Sequence, residues 1–218
     1  MKRLIILLLV PLLLAALIFF FGPMLKKEAA PPPVIAPFGD SIHWVLVTPL
    51  RYRVGELQER ITIPKGFVTD LASVPQIFWS VLPKTDKYMS AAILHDYLYW
   101  DQRCTQQQAD ALLKQAMDEF GVSAEKSSTV YDAVRFFGAS SWKQNRKNND
   151  AGNPRIMTEQ ALNDFLDQDL NATRSWENIQ RELIKSGVGH TPDLGNPDIA
   201  AICMRAAKDH AVAGNERY

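Results

Sequence analysis

Hydrophobic and polar positions follow different rhythms along the chain, and each rhythm predicts a different element. Residues 4–22, LIILLLVPLLLAALIFFFG, have no charge and no amphipathic period. At about 1.5 Å per residue the run nearly spans a hydrocarbon core of about 30 Å. It predicts a transmembrane anchor over 1–25. A cleaved signal fits less well, because signal cores usually run only about 7 to 15 apolar residues and close on small residues. Here the run is followed by Gly22-Pro23-Met24-Leu25-Lys26-Lys27. Pro11 does not veto a membrane helix. The next stretch, EAAPPPVIAP, predicts an extended, semi-rigid spacer over 26–37.

From Phe38 the pattern turns to short runs of β-branched and aromatic residues. HWVLVTPLRYRV (43–54) and ERITIPKGFVTD (59–70) flank Gly55-Glu56 and predict a β-hairpin, with Pro49 and Pro64 at strand edges or ends. KYMSAAILHDYLYWD (87–101) is apolar on nearly every side, as a helix buried in a core would be. Thr105 caps a helix whose stripe is Ala109, Leu112, Leu113, Ala116, Met117 and Phe120, ending at Gly121. Ser123 caps a third, with Val130, Val134, Phe137 and Trp142 facing inward, and Asn148-Asn149-Asp150-Ala151-Gly152-Asn153-Pro154 stops it. Helices follow at about 158–170, 175–186 and 197–212.

The expected fold class is α+β: an N-terminal transmembrane helix, then a β-hairpin or small antiparallel sheet packed on a helical core (38–150), and a helical C-terminal extension of separate purpose (151–218). Lys2 and Arg3 before the anchor, against Lys26, Lys27 and Glu28 after it, modestly favour a body on the outer, periplasmic side of an inner membrane.

Composition changes this picture little. Lys+Arg 24 balance Asp+Glu 24, so nothing global points to nucleic acid as a partner. Cys104 and Cys203 are the only cysteines and lack metal-type spacing. In an oxidising compartment they could pair; two buried thiols fit the sequence equally well.

The chemistry concentrates in ILHDYLYWD (93–101). Burying an imidazole and a carboxylate costs several kcal/mol unless each finds a partner. Adjacent helix positions point about 100° apart, so His95 and Asp96 address two neighbouring targets. That geometry suits a carboxylate that holds a cation beside an imidazole that activates water, with Tyr99 bonding on the same side. Calcium or magnesium would need further oxygen ligands. The bland alternative has each group satisfying a backbone neighbour. The cations Lys143, Arg146 and Lys147 read as a solvated helix end that could also touch anionic lipid. His43, His190 and His210 have no comparable setting, and neither G-x-S-x-G nor a P-loop occurs.

His95-Asp96-Tyr97-Leu98-Tyr99 is similar to the active-site helix of the calcium-dependent secretory phospholipases. That resemblance implies that His95 activates water, Asp96 binds calcium, Tyr99 supports the network, and Asp110 on a second helix orients the histidine. It also implies a lipid ester as substrate and membrane lipid as partner. No Gly-rich calcium loop precedes the helix; GFVTDLASVP stands there, and Asp70 is the residue that could supply the missing oxygen, or else a local turn, with Ser73 a weaker candidate. The blocks IPKGFVTDLASVPQIFW, AAILHDYLYWD and ADALLKQAM, with a following helix that ends near Trp142, resemble domain-of-unknown-function family 1353, common in phage and prophage genomes. This implies a small α+β domain. The competing expectation is a non-enzymatic phage or prophage accessory protein that uses its C-terminal helices to bind a protein partner, with His95, Asp96, Asp70 and Asp110 as a closed polar network.

Overall fold

The computed structural model describes residues 32–55, 59–71, 88–168, 174–189 and 198–215, the side chains of 168 and 209–215 apart. The apolar run 4–22 lies outside these, as do Ser73, Phe78, Trp79, Asp86, His190 and the side chain of His210.

Two expectations about the membrane are corrected. Among the described residues no helix is long and apolar enough to cross a membrane. The transmembrane part of the expected fold class and the single-pass localisation therefore have no support in the structure. The mixed α and β character stands.

The single expected hairpin is two small antiparallel sheets. β3 (Leu50–Arg53) pairs with β4 (Arg60–Ile63) in the register Leu50↔Ile63 to Arg53↔Arg60. The run that was expected to be one strand breaks at Thr48-Pro49, where Pro49 has no amide hydrogen to donate to a ladder. Its first part, β2 (Trp44–Leu46), joins β1 (Ile35–Pro37) and β5 (Val68–Thr69) in the order β1-β2-β5. β1 thus lies inside the stretch read as spacer, with Ala36 buried.

Among the described residues six helices follow: α1 (Tyr88–Asp101), α2 (Gln106–Glu119), α3 (Ala124–Asp150), α4 (Glu159–Gln168), α5 (Trp176–Lys185) and α6 (Ile199–Asn215). Thr105 caps α2 in a full capping box with Gln108, and Ser123 caps α3. α1 is buried from Ala91 to Trp100 without a break, as its all-round apolar pattern predicts. Its lower core is built with β3, β4, α2 and α6. A second core lies between the three-stranded sheet and helices α4 and α5, where Phe38, Val45, Val68, Phe165 and Trp176 meet. Cys104 and Cys203 form a disulfide that ties α6 to the α1–α2 turn across 99 residues of sequence.

The C-terminal helices share these cores: α4 and α5 pack on the three-stranded sheet and α6 packs in the core around α1. The hinge of this arrangement is Gly66, at φ +83°, where an added Cβ would stand 2.6 Å from the Met157 carbonyl oxygen. Only glycine combines that left-handed backbone with so close an approach. Met157 N–H donates to Gly66 O at 2.9 Å and Val68 N–H to Arg155 O at 2.9 Å, which lays residues 155–157 along β5. This glycine backbone is what the fold uses to bring Arg155 to α1.

Candidate functional site

His95 and Asp96 look in different directions, as neighbouring helix positions must. His95 is 4 % exposed, and its Nε2 meets Asp110 Oδ1 at 2.9 Å. Tyr99, one turn on, donates its hydroxyl to the same Asp110 oxygen at 2.7 Å. The His95 and Tyr99 rings lie 4.0 Å apart between centroids, and Trp142 meets Tyr99 edge-on at 5.0 Å. Burial, then the Asp110 charge, pushes the Tyr99 hydroxyl well above its ordinary range, so it stays a donor. With both neighbours donating to it, the Asp110 carboxylate fixes His95 with its proton on Nε2. His95 Nδ1 is left as an acceptor with no hydrogen-bond partner among the described residues. The three residues expected to form the catalytic part of the site, His95, Tyr99 and Asp110, are brought together.

Asp96 enters a different environment. It is 6 % exposed, and its Oδ2 accepts from the Thr69 hydroxyl, which also receives Leu71 N–H at 2.9 Å. Burial raises its pKa well above the ordinary carboxylate range; the Asp70 charge and a hydrogen bond between the two carboxyls push the same way. The Arg155 charge and the Thr69 bond pull it down and do not win. Asp96 therefore holds a proton more tightly than an ordinary carboxyl does. Arg155 closes the group: Nη2 lies 3.7 Å from Asp70 Oδ1, Nε donates to Val68 O at 2.8 Å and Nη1 to Asn145 Oδ1 at 3.1 Å.

This arrangement corrects the expected metal site. Asp70 and Asp96 do come together, but a group of three or more His, Cys, Asp or Glu able to hold an ion is absent among the described residues. A protonated carboxyl is a poor ligand for a hard cation, and the guanidinium already supplies the positive charge that the Asp70 carboxylate faces. Among the described residues the expected calcium ligand set is not complete.

His95, Asp96, Tyr99, Asp70 and Arg155 line one cavity of about 40 Å³, walled on the α3 side by Val134, Phe137, Gly138 and Asn145. That is room for roughly three or four water molecules at about 10–15 Å³ of such space each. Gly138 is required there, because an added Cβ would overlap the Tyr99 hydroxyl. Phe137, expected to face inward, is instead 59 % exposed at the rim, beside Phe136 at 81 %.

Sequence reasoning missed Arg155, Thr69, Asn145 and Gly138 as parts of the site. Gly138 left a signal, since a glycine in a helix interior costs about 1 kcal/mol relative to alanine and needs a reason. Arg155 left none, for it follows a helix-breaking loop and reaches the site only through tertiary packing.

No solved structure matches the chain. A protein from Sinorhizobium fredii (strain NBRC 101917 / NGR234), described as "Uncharacterized protein y4jT", is 32 % identical over 78 residues, which is 35 % of this chain and 23 % of that protein. The chain therefore matches less than a quarter of that relative's length. Residues 44–134, which carry β2 to β5, α1, α2 and the first part of α3, match the family model described as "Protein of unknown function (DUF1353)", and the resemblance drawn from the motif blocks holds over that segment.

Proposed function

We propose that the protein is a hydrolase in which His95 activates a water molecule in the 40 Å³ cavity for attack on an ester, with a lipid ester as the substrate class. The observation that carries this reading is the His95–Asp110 pair at 2.9 Å, with the second imidazole nitrogen free of any partner among the described residues, on a residue that lines the cavity.

His95 Nδ1 takes a proton as the water oxygen bonds to the carbonyl carbon, and the imidazolium returns it to the alkoxide as the C–O bond breaks. Asp110 stays a carboxylate and stabilises the imidazolium; Tyr99 holds Asp110 in place. Arg155, fixed by Val68, Asn145 and Asp70, is the cation nearest the cavity for the developing oxyanion. The exposed Phe137 in the cavity wall favours a substrate with an apolar part. No metal enters the scheme.

The test is product analysis by mass spectrometry after the full chain meets mixed phospholipid vesicles, with and without chelator. Fatty acid release that survives chelator and is abolished in His95→Ala supports the reading. A folded protein that releases nothing from these lipids or from simple esters overturns it.

The second reading is a non-enzymatic phage or prophage accessory protein. One observation favours it: the Asp96, Thr69, Asp70 and Arg155 half of the cluster is closed on itself, as a structural network would be.

A further inference from the structure

A second cavity, of about 180 Å³, lies on the far side of Asn145 and Arg155, which line both. It is several times larger than the one at His95, and its other walls come from His43, Trp100, the 148–154 turn and the start of α5.

Its walls are tied together by one part-buried carboxylate, Asp40. Asp40 Oδ2 meets His43 Nδ1 at 2.9 Å and accepts Trp176 N–H at 3.0 Å, so it ties the loop before β2 to the first turn of α5. Burial works against the Asp40 charge, but the backbone bonds from His43, Ile42 and Trp176 outweigh it and hold its pKa at about 2. Gln180 Nε2 donates to Pro154 O at 2.8 Å and fixes the turn against α5. Asn148 Oδ1 accepts from Gln144, which leaves its amide hydrogens for the cavity. Among the described residues, His43 Nε2, the Asn153 amide and the Glu177 carboxylate have no side-chain partner.

These groups combine donors and acceptors at close range. Arg155 and Glu177 are the cation and the carboxylate among its lining side chains, so the wall carries no net charge and favours neither an anion nor a cation. Carboxamides that donate and accept together complement neighbouring hydroxyls, which do the same, and the Trp100 and Trp176 indoles supply flat apolar wall.

We propose that this cavity binds a neutral hydroxyl-rich group, of the glycerol or sugar type, and that through the shared Asn145–Arg155 wall it holds the non-reacting part of the substrate whose bond is cleaved at His95. The second half of this statement rests on the hydrolase reading; the first does not.

The experiment is a ¹H–¹⁵N titration of the full chain with glycerol and with glucose, followed at the Trp176 indole and the side-chain amides, with inorganic phosphate as the charged control. We expect a saturable shift with a polyol and at least a tenfold loss of affinity in the Asn148→Ala, Asn153→Ala double variant. His95→Ala should bind unchanged. Non-saturating shifts, a stronger response to phosphate, or equal affinity in the double variant would overturn the assignment. Polyol binding in a protein without esterase activity would sink the hydrolase reading and keep the cavity; esterase activity without polyol binding would do the reverse.

Discussion

His95 and Asp96 are adjacent in sequence, equally buried and carried by one helix, yet the fold treats them oppositely. His95 is held from one side by Asp110 and left open on the other, toward a cavity. Asp96 lines the same cavity, but its carboxyl is engaged by Thr69 and Asp70, beside Arg155, and its pKa is raised. A group held on one side can exchange protons with a substrate, whereas a group satisfied all round holds β5 and the 155–157 segment to α1. Burial alone therefore does not separate a working residue from a structural one; the disposition of the last lone pair does.

The largest effect should come from breaking the open half. Asp110→Asn keeps the shape but lets the amide donate to His95, so Nδ1 no longer serves as acceptor. Ester hydrolysis should fall by about two to four orders of magnitude, read as kcat/KM, with the circular dichroism spectrum unchanged. The same change in Asp96 should not produce a loss of that size.

Breaking the closed half at its hinge comes next. Gly66→Ala puts a Cβ against the Met157 carbonyl at a positive φ, and should cost about 3 kcal/mol or more in denaturant unfolding. Because it displaces residues 155–157, it should also lower hydrolysis, and so test whether Arg155 belongs to the site. Gly138→Ala acts on the open half by pushing the Tyr99 hydroxyl off Asp110. The gain in helix propensity offsets part of the clash, leaving about 1–3 kcal/mol of destabilisation.

The smallest effect sharpens the contrast most. The Asp96 pKa is raised in the fold, so its contribution to stability is full below the unfolded carboxylate value of about 4 and is lost as pH rises toward the folded value. Asp96→Asn mimics the protonated form and can still accept from Thr69. It should raise stability by about 1 kcal/mol near neutral pH and flatten this slope. A variant that is instead destabilised at every pH would show that Asp96 works as a charge.

Much of the His95, Tyr99 and Asp110 half was legible beforehand because it rests on local spacing. The His95-Asp96-x-x-Tyr99 run sits on a helix whose apolar surroundings announce burial, and Thr105 and Gln108 fix the helix start that brings Asp110 opposite. The closed half was half legible: Asp70 was singled out, but as a metal ligand, because nothing in the sequence placed a cation beside it. Phe137 was misassigned because it continues the Val130–Val134 stripe at i+7, and a stripe residue looks the same in sequence whether it packs or rims a cavity.

The sequence by itself determined which segments are helices, where they are capped, that α1 is buried, and that His95 and Asp96 must each find a partner there. These depend on periodicity and on near neighbours, which the chain order carries directly. Tertiary structure alone decided that β2 leaves the hairpin for another sheet, that Cys104 meets Cys203, and that Arg155 takes the place expected for a metal. Each of those depends on groups far apart in sequence meeting at one point, and Gly66 shows the physical condition for it: a place where the absence of a single Cβ lets two backbones touch.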